Sequence, residues 1–235
     1  MKQTCWMAGL LLCLTACASA GAFDVNTDMG FGTNPNGVWS CGYVVGGDTA
    51  LYNVPLFLTG DTTGLNVWSK DGETDPYGNI AKNTNAYDLG NQTWPNGMRW
   101  FAGKTHMMTP SGGAAGGRVT AIRFTAPEAG LYDIDVDFLK ASTGEISTDL
   151  QVLVGGTSVM SKRVNSADPA AAYDGLSVQL SAGSTVDLLA IPVAGSGDWD
   201  GGFSITQVDA VITQVPEPIT LSLLALGGLA LRRKC

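Results

Sequence analysis

Residues 131–139 read LYDIDVDFL, and this segment decides the fold class, because apolar and acidic residues alternate along it almost without a break. Side chains that recur at every second residue lie on one face of a β-strand. A strand with one apolar face and one face of carboxylates belongs in an antiparallel sheet that has one side in water. The predicted buried face is Tyr132, Ile134, Val136 and Phe138, and the predicted solvent face is Asp133, Asp135 and Asp137.

The same alternation recurs on both sides of this segment, between glycine-rich turns. It predicts strands at 38–45, 51–58, 65–69, 98–102, 118–125, 150–154, 176–180, 186–192 and 203–213. No window in the middle of the chain has a convincing helical period. We therefore predict an all-β protein, an antiparallel β-sandwich of the jelly-roll type.

Two segments do not fit a regular alternation. In the last predicted strand the apolar positions change phase near Thr206, which predicts a β-bulge there. Residues 70–96 are rich in Asp, Asn, Gly and Pro, which predicts a long loop and a place for a ligand-facing surface.

The N-terminal 20 residues have the pattern of a secretory signal peptide. Lys2 precedes an apolar stretch, and Ala18 and Ala20 form an A-x-A cleavage pattern. An alternative lies in the same stretch, because residues 14–17, LTAC, resemble a bacterial lipobox and would make Cys17 a lipidated first residue. With 1–20 as signal peptide and 215–235 as a separate tail, residues 21–214 form one β-sandwich domain.

Charge and cysteine content limit the functions of this domain. Residues 21–214 hold nine basic and 20 acidic residues, a net charge of −11. Such a surface repels phosphate backbones and anionic lipids, which argues against nucleic acid and peripheral membrane partners. Cys41 is the one cysteine between residues 21 and 214, so we expect a buried thiol and no disulfide framework.

Candidate catalytic groups are few. His106, the only histidine, lies in a Gly- and Met-rich stretch, 104–117, and we expect it in an exposed or locally bonded loop. Paired carboxylates could still act in a hydrolase or lyase, since such pairs are defined by their separation in space. We nevertheless predict no enzyme.

Calcium is the cofactor that the sequence suggests. Asp198 and Asp200 stand two residues apart in the glycine-rich turn 197–202, a spacing that lets both carboxylates reach one hard cation. Asp209 is a candidate third ligand.

Sugar binding would use aromatic rings as platforms for the flat faces of pyranoses. Trp68, Trp94, Trp100 and Trp199 are the candidates, because they lie in or beside predicted loops. Trp39 and Tyr43 share a strand with Cys41, and we expect all three in the core.

The tail has three parts: Val215-Pro216-Glu217-Pro218, an apolar run at 219–231, and Arg232-Arg233-Lys234. This arrangement resembles the PEP-CTERM sorting signal. The resemblance implies export, recognition and processing of the tail by an exosortase-type enzyme, and a place at the cell surface or in the extracellular polymeric matrix. As a helix, the 13-residue run spans about 20 Å, less than the roughly 30 Å of a bilayer core. We therefore expect only transient contact between the terminal segments and the membrane.

The middle of the chain is similar to the β-sandwich domains of exported PEP-CTERM proteins and to jelly-roll carbohydrate-binding modules. The similar segments are NPNGVWS at 34–40 and RFTAPEAGLY at 123–132. This resemblance implies a jelly roll and makes polysaccharide a ligand class, without assigning a binding residue.

Together these patterns predict an exported protein with a non-catalytic binding or structural role in exopolysaccharide. One alternative is a calcium-assisted carbohydrate-binding module with a defined glycan, and another is a polysaccharide hydrolase or lyase.

Overall fold

The computed structural model of the chain describes residues 21–45, 48–57, 62–70, 72, 78–91, 97–110, 118–142, 147–193 and 204–216. The described residues form one short helix, α1 (Val25–Asp28), and otherwise strands, which confirms the all-β prediction. In chain order the strands are β1 Ala22–Asp24, β2 Trp39–Val45, β3 Asp48–Leu51, β4 Val54–Phe57, β5 Leu65–Ser69, β6 Asn79–Asn83, β7 Leu89–Asn91, β8 Met98–Trp100, β9 Thr105–Met108, β10 Val119–Thr125, β11 Gly130–Lys140, β12 Thr148–Val154, β13 Thr157–Val164, β14 Ala170–Leu180, β15 Thr185–Pro192 and β16 Ile205–Val215.

The last eight strands form a jelly roll. β12 pairs with β13, β11 with β14, β10 with β15, and β9 with β16, and every pair is antiparallel. Such nested pairing is what a long two-stranded ribbon produces when it is rolled up. Sheet A therefore contains the order β14-β11-β16-β9, and sheet B contains β13-β12-β15-β10. The predicted jelly-roll sandwich is confirmed.

The first half of the chain widens both sheets. β6, β5 and β4 continue sheet A beyond β9, and β1 pairs with β16 on the same side as β9. β2 and β3 continue sheet B beyond β10. β7 and β8 form a separate two-stranded sheet.

The main core lies between sheets A and B and is built from the alternating positions that the sequence predicts. The apolar face of β11 is buried, as are Trp39, Cys41 and Tyr43 of β2. Burial raises the pKa of the Cys41 thiol far above its usual range, so this cysteine is a packing residue.

A second apolar cluster covers the outer face of one end of sheet A. Its members come from β5, β6, β7, β8, β9, β16 and a neighbouring segment: Leu65, Val67, Ala81, Leu89, Met98, Trp100, Met108, Ala141 and Ile205. Leu89, Met98 and Trp100 belong to the small β7–β8 sheet, which therefore lies over sheet A.

This second cluster explains why the predicted bulge near Thr206 is wrong. The register of β16 runs without a shift against β11, from Thr206 to Val215, and against β9. Val208 faces the main core, so Ile205, three residues earlier, lies on the opposite face. The apolar positions change phase near Thr206 because Ile205 packs in the second cluster, while Val208 packs in the main core on the other face of the sheet.

Two further sequence expectations are also wrong. The predicted loop at 70–96 contains strands β6 and β7. The sequence predicts His106 in an exposed or locally bonded loop, but it lies in β9 with 0% of its surface exposed, and of this prediction only the local bond, from the Phe101 N–H, is present. The residues around β6 and β7 are polar, and those around β9 are Gly- and Met-rich. These strands form because their backbones pair with neighbouring strands, not because their residues have a high strand propensity.

The backbone of β3 approaches the outer face of β2 very closely at Gly42. A Cβ atom at this position would collide with the carbonyl oxygen of Ala50. Thr49, also in β3, contacts the Arg123 guanidinium, which donates to Thr49 Oγ1 at 3.1 Å and to Asp187 Oδ1 at 2.5 Å.

Gly42→Ala should destabilise the domain by about 1–3 kcal/mol, because β3 must move away to admit the methyl group. Ser40→Ala, two residues away on the same face of β2, is the matched control and should have a smaller effect. Urea unfolding followed by tryptophan fluorescence would measure both. Equal midpoints for Gly42→Ala and the wild type would contradict the close approach.

His106 should make the domain sensitive to acid. Its Nε2 accepts a hydrogen bond from the Phe101 N–H at 2.9 Å, which requires the neutral ring, and burial lowers the pKa of His106 to about 3. An unfolded chain has a histidine pKa of about 6.5. Between these values the unfolded chain binds a proton that the folded chain does not, so this residue lowers the free energy of unfolding by about 1.4 kcal/mol per pH unit as pH falls.

His106→Gln removes this titration and keeps an acceptor at the site. Urea unfolding between pH 6.5 and 4 should therefore show a shallower loss of stability for the variant than for the wild type. Identical pH slopes would show that His106 titrates normally in the folded domain.

Candidate functional site

The C-terminal end of β16 is where the folded domain meets the sorting segment predicted from the sequence. Val215 is still paired with Leu131 of β11, and Gln214 with Tyr132. The Gln214 N–H also donates to the carbonyl oxygen of Gly21 at 2.9 Å. The strand ends at Val215, and Pro216 follows directly. Glu217, Pro218, Arg232, Arg233 and Lys234 lie outside the described residues.

The first residues of the domain flank this end of β16. In the register of β1 and β16, Ala22 lies opposite Thr213 and Asp24 lies opposite Val211. Phe23 anchors β1 to the core, since its ring centroid is 5.4 Å from that of Phe124. Gly21 and Val215 therefore lie at the same corner of sheet A. The predicted signal peptide, 1–20, including Cys17, lies outside the described residues.

Asn26 closes the gap between β1 and β9, which follow one another along the same side of β16. Its side-chain oxygen accepts a hydrogen bond from the Thr105 N–H at 2.7 Å, and its Nδ2 donates to Asp209 Oδ1 at 2.5 Å. Lys104 Nζ is 2.6 Å from Asp209 Oδ1, and Gln207 Nε2 is 2.5 Å from Asp209 Oδ2. The Asn26 amide thus joins the short helix α1 to both β9 and β16.

These contacts bear on the predicted calcium ligands. Both carboxylate oxygens of Asp209 are occupied by an ammonium group and two amides, so Asp209 could bind a cation only by leaving them. Asp198 and Asp200 lie outside the described residues. Within the part of the chain that the structure describes, no group of three or more His, Cys, Asp or Glu residues is placed to hold a metal ion.

The predicted sugar platforms that the structure describes are buried. Trp68 is 3% exposed, stacks on Phe31 with a centroid distance of 6.0 Å, and donates from Nε1 to the Gly30 carbonyl oxygen. Trp100 is 9% exposed and belongs to the second cluster. Neither indole presents an open face to a sugar in this structure. Trp94 and Trp199 lie outside the described residues.

The carboxylates of LYDIDVDFL line the outer face of sheet A. Asp135 lies opposite Asp174 of β14, and Asp137 lies opposite Asp209 of β16. Desolvation, together with the charges of Asp137 and Asp174, raises the pKa of Asp135. This face is therefore a region of mutual repulsion between like charges.

An exposed aromatic surface that the sequence analysis missed lies at the turn between β6 and β7. The Tyr87 ring is 63% exposed. The side chain of Asn83 holds this turn, because its Nδ2 donates to the carbonyl oxygens of Tyr87 and Trp100, each at 2.9 Å. The signal was an isolated aromatic residue in the polar stretch NTNAYD, residues 83–88, where no alternating pattern calls for a core residue.

A fixed ion pair stands beside Tyr87. Asp88 accepts hydrogen bonds from Arg99 through Nε at 3.0 Å and through the terminal NH2 group at 2.5 Å, and another from the Ala102 N–H at 2.8 Å. The Ala102 amide and Arg99 together hold the pKa of Asp88 below its usual range. Arg99 lies 4.5 Å above the centre of the Phe101 ring. We call Tyr87, Asp88 and Arg99 the Tyr87 face: an exposed tyrosine whose neighbour in sequence, Asp88, is held by Arg99 and Ala102.

Comparison with known proteins identifies the tail and adds no functional argument for the domain. No curated protein matches the chain. Similar solved structures include the CBM36-1 domain of a xylanase from the hindgut metagenome of Trinervitermes trinervoides (11% identity, 41% of this chain, 72% of that chain, TM-score 0.28). A family 35 carbohydrate binding module from Clostridium thermocellum has 20% identity over 40% of this chain and 69% of that one, with a TM-score of 0.26. Similarity this low supports no conclusion about function.

The tail, by contrast, matches the PEP-CTERM protein-sorting motif over residues 214–234. Within the described residues, no helix is both long and apolar enough to cross a membrane. The matched segment begins inside β16, at Gln214, and continues through the Pro-Glu-Pro triplet to the basic end. By this motif, the chain is an exported, cell-surface-associated protein with a PEP-CTERM sorting signal at 214–234.

Proposed function

We propose that this protein is a non-catalytic component of an extracellular polysaccharide layer, in which the jelly roll binds or braces the polymer. The observation that carries the proposal is the continuity of the sorting motif with β16. Because no linker separates them, the exosortase substrate and the jelly roll are one unit, and the jelly roll is what the sorting system delivers.

The charge of the domain favours a neutral polymer. Residues 21–214 carry a net charge of −11, and Asp135, Asp137 and Asp174 stand together on one face. An anionic polysaccharide would be repelled by this surface unless cations screened it. A neutral glucan meets no such barrier.

The Tyr87 face is the surface that we assign to the polymer. An exposed phenol ring packs against the apolar face of a pyranose, and Asp88 and Arg99 offer hydrogen-bonding groups to its hydroxyls. These polar groups are already held in place by each other and by Ala102, so binding immobilises few further side chains. A platform of this kind needs no opening of the core, unlike one built on Trp68 or Trp100.

A calcium-assisted carbohydrate-binding module is the second candidate. Asp198 and Asp200 remain its proposed ligands. Asp209 contributes to this candidate only if it releases Lys104 and Asn26. A hydrolase or lyase is the third candidate, and it would use two carboxylates placed on either side of a glycosidic bond.

Tyr87→Ala should weaken binding of the domain to a soluble neutral β-glucan by about tenfold or more, as expected for loss of an aromatic contact. Leu176→Ala is the control, because Leu176 is 72% exposed and lies on β14, at the opposite edge of sheet A from β4, β5 and β6. Affinity electrophoresis in gels with β-glucan or alginate, each with calcium or with EDTA, would measure retardation.

The arms of this experiment separate the candidates. Retardation of the wild-type domain only in gels with calcium favours the calcium-assisted module. Release of reducing ends from the polymer favours the hydrolase or lyase. If neither polymer retards the wild-type domain under any condition, the binding role is wrong and a purely structural role remains.

Glu217→Ala should prevent processing of the tail, because it removes the only charge from the Pro-Glu-Pro triplet that the sorting enzyme is proposed to recognise. Full-length chain should then accumulate in the membrane fraction of cells that express an exosortase, while the wild type appears shortened at the surface. Intact-mass analysis would measure both. A wild-type surface form that retains the mass through Cys235 would contradict processing.

A further inference from the structure

The sorting motif and the folded domain use the same residues. The matched motif begins at Gln214, yet Gln214 and Val215 are the last two residues of β16. A sorting enzyme that reads the whole motif needs these residues as an accessible peptide. The jelly roll needs them as part of sheet A.

Pairing on both sides holds this end of the strand. On one side, Gln214 and Val215 lie opposite Tyr132 and Leu131 of β11. On the other side, the Gln214 N–H donates to the Gly21 carbonyl oxygen, and β1 continues the pairing to Asp24. Tyr132 is fully buried and its hydroxyl donates to the Glu128 carbonyl oxygen at 2.9 Å, so the β11 side of this pairing is firmly placed.

We propose that these contacts with β1 and β11, which we call the terminal clamp, withhold Gln214 and Val215 from the sorting enzyme. Processing then requires the last residues of β16 to leave sheet A. This inference rests on the proposed processing by exosortase. It adds that opening of the terminal clamp limits the rate of that processing. The step is local, because strand ends open at much lower free energy than the whole domain.

The clamp has a consequence for the order of events after export. A chain whose domain has not folded presents the complete motif, while a folded chain presents it only during opening of the clamp. The rate of tail processing therefore reports whether β16 has docked.

The test gives the motif a second copy of the withheld residues. Inserting Gly-Gly-Ser-Gln-Val between Val215 and Pro216 leaves β16 intact and places an unpaired Gln-Val directly before the Pro-Glu-Pro triplet. The matched control inserts Gly-Gly-Ser-Gly-Ser at the same position, with equal length and no Gln-Val. Both full chains would be pulse-labelled in cells that express an exosortase, and loss of the tail would be followed by mass.

The Gln-Val insertion should be processed about three- to tenfold faster than the wild type, the range expected when about one net terminal hydrogen bond no longer has to break. The control insertion should be processed no faster than the wild type. Thermal unfolding of all three purified chains at equal midpoints would show that the domain itself is unchanged.

Each other outcome has a definite meaning. Equal rates for all three chains, or loss of processing with the Gln-Val insertion, would overturn the clamp. Equal acceleration by both insertions would also overturn it, because distance from the domain would then be the limiting factor. If the wild type and both insertions all keep their tails, the proposed processing itself is wrong.

Discussion

The hydrogen-bond ladder of β16 is the interaction on which the rest of this structure depends. β16 pairs with β11 along almost its whole length on one side, and with β9 and then β1 on the other. It therefore joins the jelly roll, the added strands of sheet A and the first residues of the domain. Asn26 completes this ladder where β9 ends and β1 begins. Loss of this one strand would separate three parts of the protein.

The sequence predicts the parts of the fold that depend on local periodicity. The alternation in LYDIDVDFL places β11 correctly, with Tyr132 and Val136 in the core and Asp135 on the solvent side. It fails where a sheet is covered on both faces. Ile205 was interpreted as a shift of register because a second cover for sheet A cannot be read from one strand. His106 was placed in a loop because its strand is defined by partners distant in sequence.

The residues of the candidate site also fall into those that the sequence predicts and those that only the structure identifies. The sorting motif is a linear pattern in the sequence, and for that reason its residues can be identified without a structure. Ligand platforms depend on exposure, which is a tertiary property, so tryptophan content alone pointed to Trp68 and Trp100, both buried. Asp209 likewise has a carboxylate of the right type, but its partners, Lys104 and Asn26, lie about 100 and 180 residues away along the chain. Tyr87 was recognisable only after the surrounding turn could be seen.

The bond between Gln214 and Gly21 also fixes how the domain can be attached to anything else. Whatever is joined to either end, a lipid, a polymer or another protein, is joined at one corner of the sandwich. A β-sandwich that is attached at one corner can rotate about that point, and the outer faces of both sheets remain accessible. The same proximity means that the two ends could be connected by a short peptide without strain, so the domain could be inserted as a module into a loop of a different protein.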